Sequence, residues 1–164
     1  MKRLFIVLLL CTLILTGCNL PDQIDKPANF YYLHSEFSFG ASTSLCSPEV
    51  VESLGMQFEE LLNLYFQGPV SETLRSPFPP HVKVVHLEVT DTQIILILSE
   101  EYAALKDLDL ILANTCLYET CRQLVGDIPV RLHIDGTFID GQDHIIIDGK
   151  NMITYDHHAT IPKE

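Results

Sequence analysis

Cysteines, histidines and paired carboxylates are the residues of this chain able to do chemistry, and their spacing decides which chemistry is open. Five cysteines and seven histidines occur among 164 residues. Cys11 and Cys18 lie in or just after an apolar N-terminal run, which leaves Cys46, Cys116 and Cys121 downstream. Three thiols cannot all pair within one chain. A bridge from Cys46 to either of the other two is open in an oxidising compartment, and three small buried apolar residues are the other reading. Cys116 and Cys121 are five residues apart, which on one helix turns them to different faces, so they are not expected to bridge each other. The absence of a Cys-x-x-Cys pair disfavours redox catalysis.

Metal ligation is the chemistry the histidines would offer, chiefly at His157-His158 with Asp156 and at His144 beside Asp143. Adjacent histidines reach one ion only inside a folded loop, and no His-x-x-x-His helix pattern is present, so solvated side chains and no metal are expected. Asp135-Gly136, Asp140-Gly141 and Asp148-Gly149 read as tight turns, since the spacing of a calcium loop is missing. General acid–base work needs carboxyls opposed across a cleft, and Glu59-Glu60 and Glu100-Glu101 are neighbours along the chain instead. Ser44 and Ser99 lack the Gly-x-Ser-x-Gly context of a nucleophile elbow, and no glycine-rich phosphate loop exists. The expectation is no catalytic residue and no cofactor: not an enzyme.

Cys18 is different. Met1-Lys2-Arg3 supplies positive charge, Leu4 to Leu15 is mostly apolar, and Leu15-Thr16-Gly17-Cys18 closes the run on small residues. These are the parts of a secretory signal, and the run stops well short of the roughly 20 apolar residues of a spanning helix. The pattern resembles the lipobox of bacterial lipoproteins, which implies removal of residues 1–17 and diacylation of Cys18. Two acyl chains hold a protein stably at a bilayer where one does not. Removing 1–17 takes two positive charges from a net of −12, leaving −14 over 147 residues. That length suits one domain, and that charge argues against nucleic acid as a partner. Residues 18–29 are polar with two prolines and read as a spacer. Its eleven residues after Cys18 could reach about 35–40 Å if fully extended.

The elements beyond it must position whatever acts. Phe30-Tyr31-Tyr32-Leu33 reads as a strand. Ser47-Pro48-Glu49 has the residue types of a helix start, with Val51, Leu54, Phe58, Leu61, Leu62 and Tyr65 near helical period and Gly68-Pro69 as the stop. Arg75 to Pro80 is an extended connector. Val82–Val89 and Ile94–Leu98 form a hairpin around Thr90-Asp91-Thr92, the second strand buried on both faces. Asp107 caps a second helix, only loosely periodic, that Gly126 closes. Val130–Ile134 is a further strand, and Ile145-Ile146-Ile147 belongs to a C-terminal hairpin. The order is α+β: a small mixed sheet with two helices packed on one face (strand-helix-hairpin-helix-strand).

Glu60 to Pro69 (Glu-Leu-Leu-Asn-Leu-Tyr-Phe-Gln-Gly-Pro), then Leu74-Arg75-Ser76-Pro77-Phe78-Pro79-Pro80, Leu96 to Tyr102, Leu108-Asp109-Leu110 and Ile134-Asp135-Gly136 follow in an order that resembles the GerM domain. The chain departs from that pattern at His81, where glycine often follows the prolines, and at Asp91-Thr92, where Asp-Gly is commoner. The resemblance implies a domain over 30–139, with 140–164 as a C-terminal extension, and an extracytoplasmic module linked to sporulation or germination. Such domains work through protein contacts and bring no catalytic residues. Asn63 to Gly68 also resembles a viral protease site used to remove tags. It continues the helical stripe, so we read it as part of the fold.

The expected function is therefore a lipid-anchored scaffold on the outer face of the cell membrane, meeting envelope or sporulation proteins through a sheet edge or the proline-rich connector. Phe66 and Phe78, if exposed, are the candidates for its protein-contact patch. An accessory of a membrane sensor kinase is the alternative. A ligand receptor or enzyme would require a deep polar pocket lined by Glu100, Glu101 or histidines.

Overall fold

The computed structural model describes residues 23–24, 26–36, 46–138 and 141–150. The proposed signal 1–17, Cys18 and the Asp156-His157-His158 group lie outside these. The fold is α+β. Strands β1 (Gln23–Ile24), β2 (Ala28–His34), β3 (Cys46–Val51) and β4 (Met56–Gln57) come first, followed by helix α1 (Phe58–Tyr65) and strand β5 (Leu74–Arg75). Then come β6 (Val84–Val89), β7 (Ile94–Leu98), a 3-10 turn (Glu100–Ala104), helix α2 (Asp107–Val125), β8 (Val130–Ile134) and β9 (Ile145–Ile147).

The strands divide between sheets where the sequence suggests one. The first, β3-β2-β5, is antiparallel. The second, β6-β7-β8-β9, is mixed, with β7 and β8 parallel. Parallel neighbours need a crossover, which the 3-10 turn and α2 supply. β1 and β4 make a short ribbon. α2 lies against β2 of one sheet and touches β9 of the other. Buried residues therefore sit all round it, Leu112, Cys116, Tyr118 and Cys121 among them, and this is why its apolar spacing follows one face only loosely.

Four expectations need correction. Ser47-Pro48-Glu49 opens no helix: it lies in β3, paired residue for residue with Phe30–Tyr32. Pro48 is tolerated because β3 is an edge strand, and Val51 and the exposed Leu54 precede α1 instead of belonging to it. The helix starts at Phe58, where the Gln57 N–H donates to the Glu60 carboxylate over 3.2 Å. The spacer 18–29 is shorter than expected, since Ile24 and Ala28 are buried and belong to the folded body. β9 pairs with β8 over Val130–Leu132 and so completes the second sheet as its edge strand, inside the span assigned to an extension. β7 alternates fully buried Ile94, Leu96 and Leu98 with half-buried Ile95 and Ile97, so only one of its faces is fully covered. The second helix begins as expected to within a residue, with Lys106 and not Asp107 at its cap.

The two departures from the GerM pattern are resolved by backbone geometry. His81 has φ 69°, the left-handed region that glycine occupies without strain. The histidine carries a steric cost of roughly 1–2 kcal/mol there. His81→Gly is expected to raise stability by about 0.5–1 kcal/mol after the extra chain entropy of glycine, a gain of a few degrees in a thermal melt. The Thr90–Gln93 turn does not need glycine: the Thr90 hydroxyl donates to the Gln93 carbonyl and accepts from the Thr92 and Gln93 N–H groups. Among the described residues no helix is long and apolar enough to cross a membrane.

Candidate functional site

An aromatic cluster fills the space between α1, β2 and the connector. Tyr65 lies 5.0–5.1 Å, centre to centre, from Phe30, Tyr32 and Phe78, and 5.6 Å from Phe66. Phe66 and Phe78 meet edge to face at 4.9 Å, and Phe78 reaches Tyr102 at 6.3 Å. Helical spacing places Leu61, Leu62 and Tyr65 on the inner face of α1, and alternation along β2 brings Phe30 and Tyr32 to meet them. Phe66 and Phe78 therefore turn inward, at 6% and 7% exposure, and the contact patch expected from them is not on the surface. The same burial makes Tyr65 and Phe66, in the middle of Asn63 to Gly68, part of the structural core.

The polar ends of this cluster serve the backbone. The Tyr32 hydroxyl donates to the Tyr65 carbonyl at 2.8 Å, and the Tyr65 hydroxyl donates to the Tyr31 carbonyl at 2.6 Å. The Tyr102 hydroxyl donates to Asn114 Oδ1 at 2.8 Å. Thr120 accepts the Tyr31 N–H at 3.0 Å, and Asn63 Oδ1 accepts the Val84 N–H at 2.9 Å. Burial pushes the phenols of Tyr32, Tyr65 and Tyr102 above the ordinary tyrosine range. Tyr118, which donates to Asp127, is pushed up to about 12 by burial and that carboxylate. Such groups stay protonated and are no proton donors near neutral pH.

The surface presents two further features. An open groove of about 250 Å³ lies beside the connector, lined by Leu33, Arg75, Pro77, Phe78, Leu105 and Asp109. Glu100 is exposed and does not line this groove. The Ser99 hydroxyl and the backbone at Glu101 hold the Glu101 carboxyl below the usual range. Among the described residues the most exposed large apolar side chains are Val50 on the open edge of β3, Leu54, Val70 and Phe138. The Glu49 carboxylate accepts the N–H groups of Val70 and Ser71, tying that turn to β3.

The second feature is a cluster of His133, Asp143 and His144, whose ligand atoms all lie within 4.8 Å of one another. The two imidazoles stack at 5.2 Å, and His144 Nδ1 is 3.5 Å from Asp143 Oδ2. Two nitrogens and one carboxylate are a donor set that suits a divalent cation such as zinc. The sequence singles out His144 and Asp143 but misses His133, which arrives through the pairing of β8 with β9. No local signal carries that register.

In fold the chain is similar to the first GerMN domain of the sporulation protein GerM from Bacillus subtilis, at 17% identity and TM-score 0.53, over 75% of this chain and 96% of that one. It is likewise similar to the tandem GerMN domains of the same protein, at 16% identity and TM-score 0.54, again over 75% of this chain. It spans 45% of the length of that tandem. The fold is GerM-like. No protein-family model matches the chain, and no curated protein matches it in sequence.

Proposed function

We propose that this chain is a lipid-anchored interaction module on the extracytoplasmic face of the cell membrane, acting without catalysis in sporulation- or germination-related envelope assembly. The observation that carries the reading is the packed aromatic interior: Tyr32, Tyr65, Phe66, Phe78 and Tyr102 fill the space between α1, β2 and the connector by packing against one another. Their hydroxyls hold protein groups. The likeness to a domain of the sporulation protein GerM supports the biological setting. The residues Leu15-Thr16-Gly17-Cys18 support the anchor. Contact with partners falls to surface features, namely the open edge of β3 and the groove beside the connector.

Cys18→Ala tests the anchor. Wild-type protein is expected in the membrane fraction and labelled by radioactive palmitate, whereas the variant loses the label and leaves that fraction almost completely. In an endospore-forming host, deletion is expected to disturb septum or spore-envelope morphology, and the Cys18→Ala gene is expected not to restore it. An unlabelled wild type with residues 1–17 intact overturns the anchor. Turnover of a small molecule by the purified protein overturns the non-catalytic role.

A further inference from the structure

We propose that Cys46 and Cys116 are a disulfide site, joined by exchange with a disulfide-bearing oxidant into a covalent link between β3 and α2. Two independent features bring them together. Thr120 of α2 accepts the N–H of Tyr31 on β2. Cys116 is one helical turn before Thr120, a step of about 6 Å along the axis. Leu33 is two residues beyond Tyr31 on β2, a step of similar length, and Leu33 pairs with Cys46. Arg75, which pairs with Leu33, acts on Cys116, so the two steps run the same way and carry the two cysteines to one level of the structure. The second feature is electrostatic: the Cys46 and Cys116 thiols act on each other through a side-chain hydrogen bond, and Glu119, on the next turn of α2, acts on both of them and on Tyr31. Cys121 is fully buried, its thiol pushed up to about 12 by burial, and, five residues on, it stands roughly 140° round the helix from Cys116. Of the two bridges open to Cys46 on sequence, the structure assigns the one to Cys116.

The chemistry has an order. Cys46 is half-exposed and Cys116 is fully buried, so an incoming oxidant meets Cys46 first. The hydrogen bond from Cys116 lowers the Cys46 thiol and raises that of Cys116, which favours Cys46 as the attacking thiolate. Cys46 Sγ attacks one sulfur of the oxidant's disulfide and expels the other as a thiolate. Cys116 then gives up its proton and attacks Cys46 Sγ, expelling the second oxidant thiol. Two protein thiols lose two electrons and two protons in total, and one oxidant disulfide becomes two thiols. The loop closed, from 46 to 116, is long, the case in which the chain-entropy account expects most from a cross-link.

Formation of the bridge in the cell rests on the extracytoplasmic reading above, whereas the ability of the pair to form it does not, and the test separates them. The purified full chain is reduced, exposed to oxidised glutathione, alkylated and digested for mass spectrometry. Linked peptides holding Cys46 and Cys116 are expected, with a melting midpoint higher by roughly 10 °C than in the reduced protein. Cys46→Ser and Cys116→Ser each lose both results, and Cys121→Ser keeps them. Alkylation of both Cys46 and Cys116 after exchange overturns the proposal, as does a link from Cys46 to Cys121. A bridge formed by glutathione but absent from protein alkylated directly in cells overturns the extracytoplasmic reading and leaves the pair standing.

Discussion

Tyr65→Ala is expected to abolish cooperative folding, or to lower the melting midpoint by more than 15 °C. Truncating a large buried aromatic costs about 3–5 kcal/mol. Tyr65 is fully buried against four other rings. Its loss also strips the Tyr31 carbonyl of its donor, which adds about 1–3 kcal/mol for a buried group left unpaired. The sum approaches the whole stability of an ordinary domain, about 5–15 kcal/mol. Tyr65→Phe keeps the ring and removes only the donor, so a loss of about 1–2 kcal/mol is expected. Urea titrations of the two variants check this. Equal losses would mean that the hydroxyl, and not the ring packing, holds α1 to β2.

Alkaline unfolding is the second large effect. The folded chain keeps the Tyr32, Tyr65 and Tyr102 phenols protonated above the pH at which an unfolded tyrosine ionises, near 10. Their contribution is therefore fully present below about pH 10. Above it, the unfolded state releases protons that the folded state retains, so stability falls as pH rises towards the raised folded values. Each such phenol contributes a slope of about 1.4 kcal/mol per pH unit, so Tyr65 and Tyr102 together give nearly 3. Melting midpoints are expected to begin falling above about pH 8.5–9, where the unfolded Cys116 and Cys121 thiols ionise and the buried ones do not, and to drop more steeply from about pH 10 to 12 as the phenols add to them. Tyr102→Phe should move that drop to higher pH, because its phenylalanine has no proton to lose. A flat profile to pH 12 would show these hydroxyls reaching solvent.

Where local pattern and tertiary demand agreed, the sequence was readable. The stripe Phe58, Leu61, Leu62, Tyr65 marked α1, Ile94–Leu98 marked β7, and Gly126 with φ 104° closed α2 as glycine does. Ser47-Pro48-Glu49 misled because proline suits both the first helical turn and an edge strand. What decided between them was pairing with Phe30–Tyr32, a contact between segments far apart in the chain. Phe66 and Phe78 misled in the opposite sense. Phe66 caps α1 and Phe78 stands in a connector that composition marks as surface, yet Tyr65 offers both an apolar interior and Tyr102 meets Phe78 there. His133 was invisible as a neighbour of His144 for the same reason as the β8–β9 register: nothing local announces it.

The pairing of β1 with β4 has a mechanical consequence. Because Gln23 and Ile24 are stitched to Met56 and Gln57, only Asn19 to Asp22 separate the body from an acylated Cys18. Fully drawn out, that tether measures under about 20 Å. On the lipid-anchored reading the module rides at headgroup height and diffuses laterally with its leaflet. Encounters with a membrane-bound partner then take place in two dimensions, at an effective concentration that a free-floating copy would not reach.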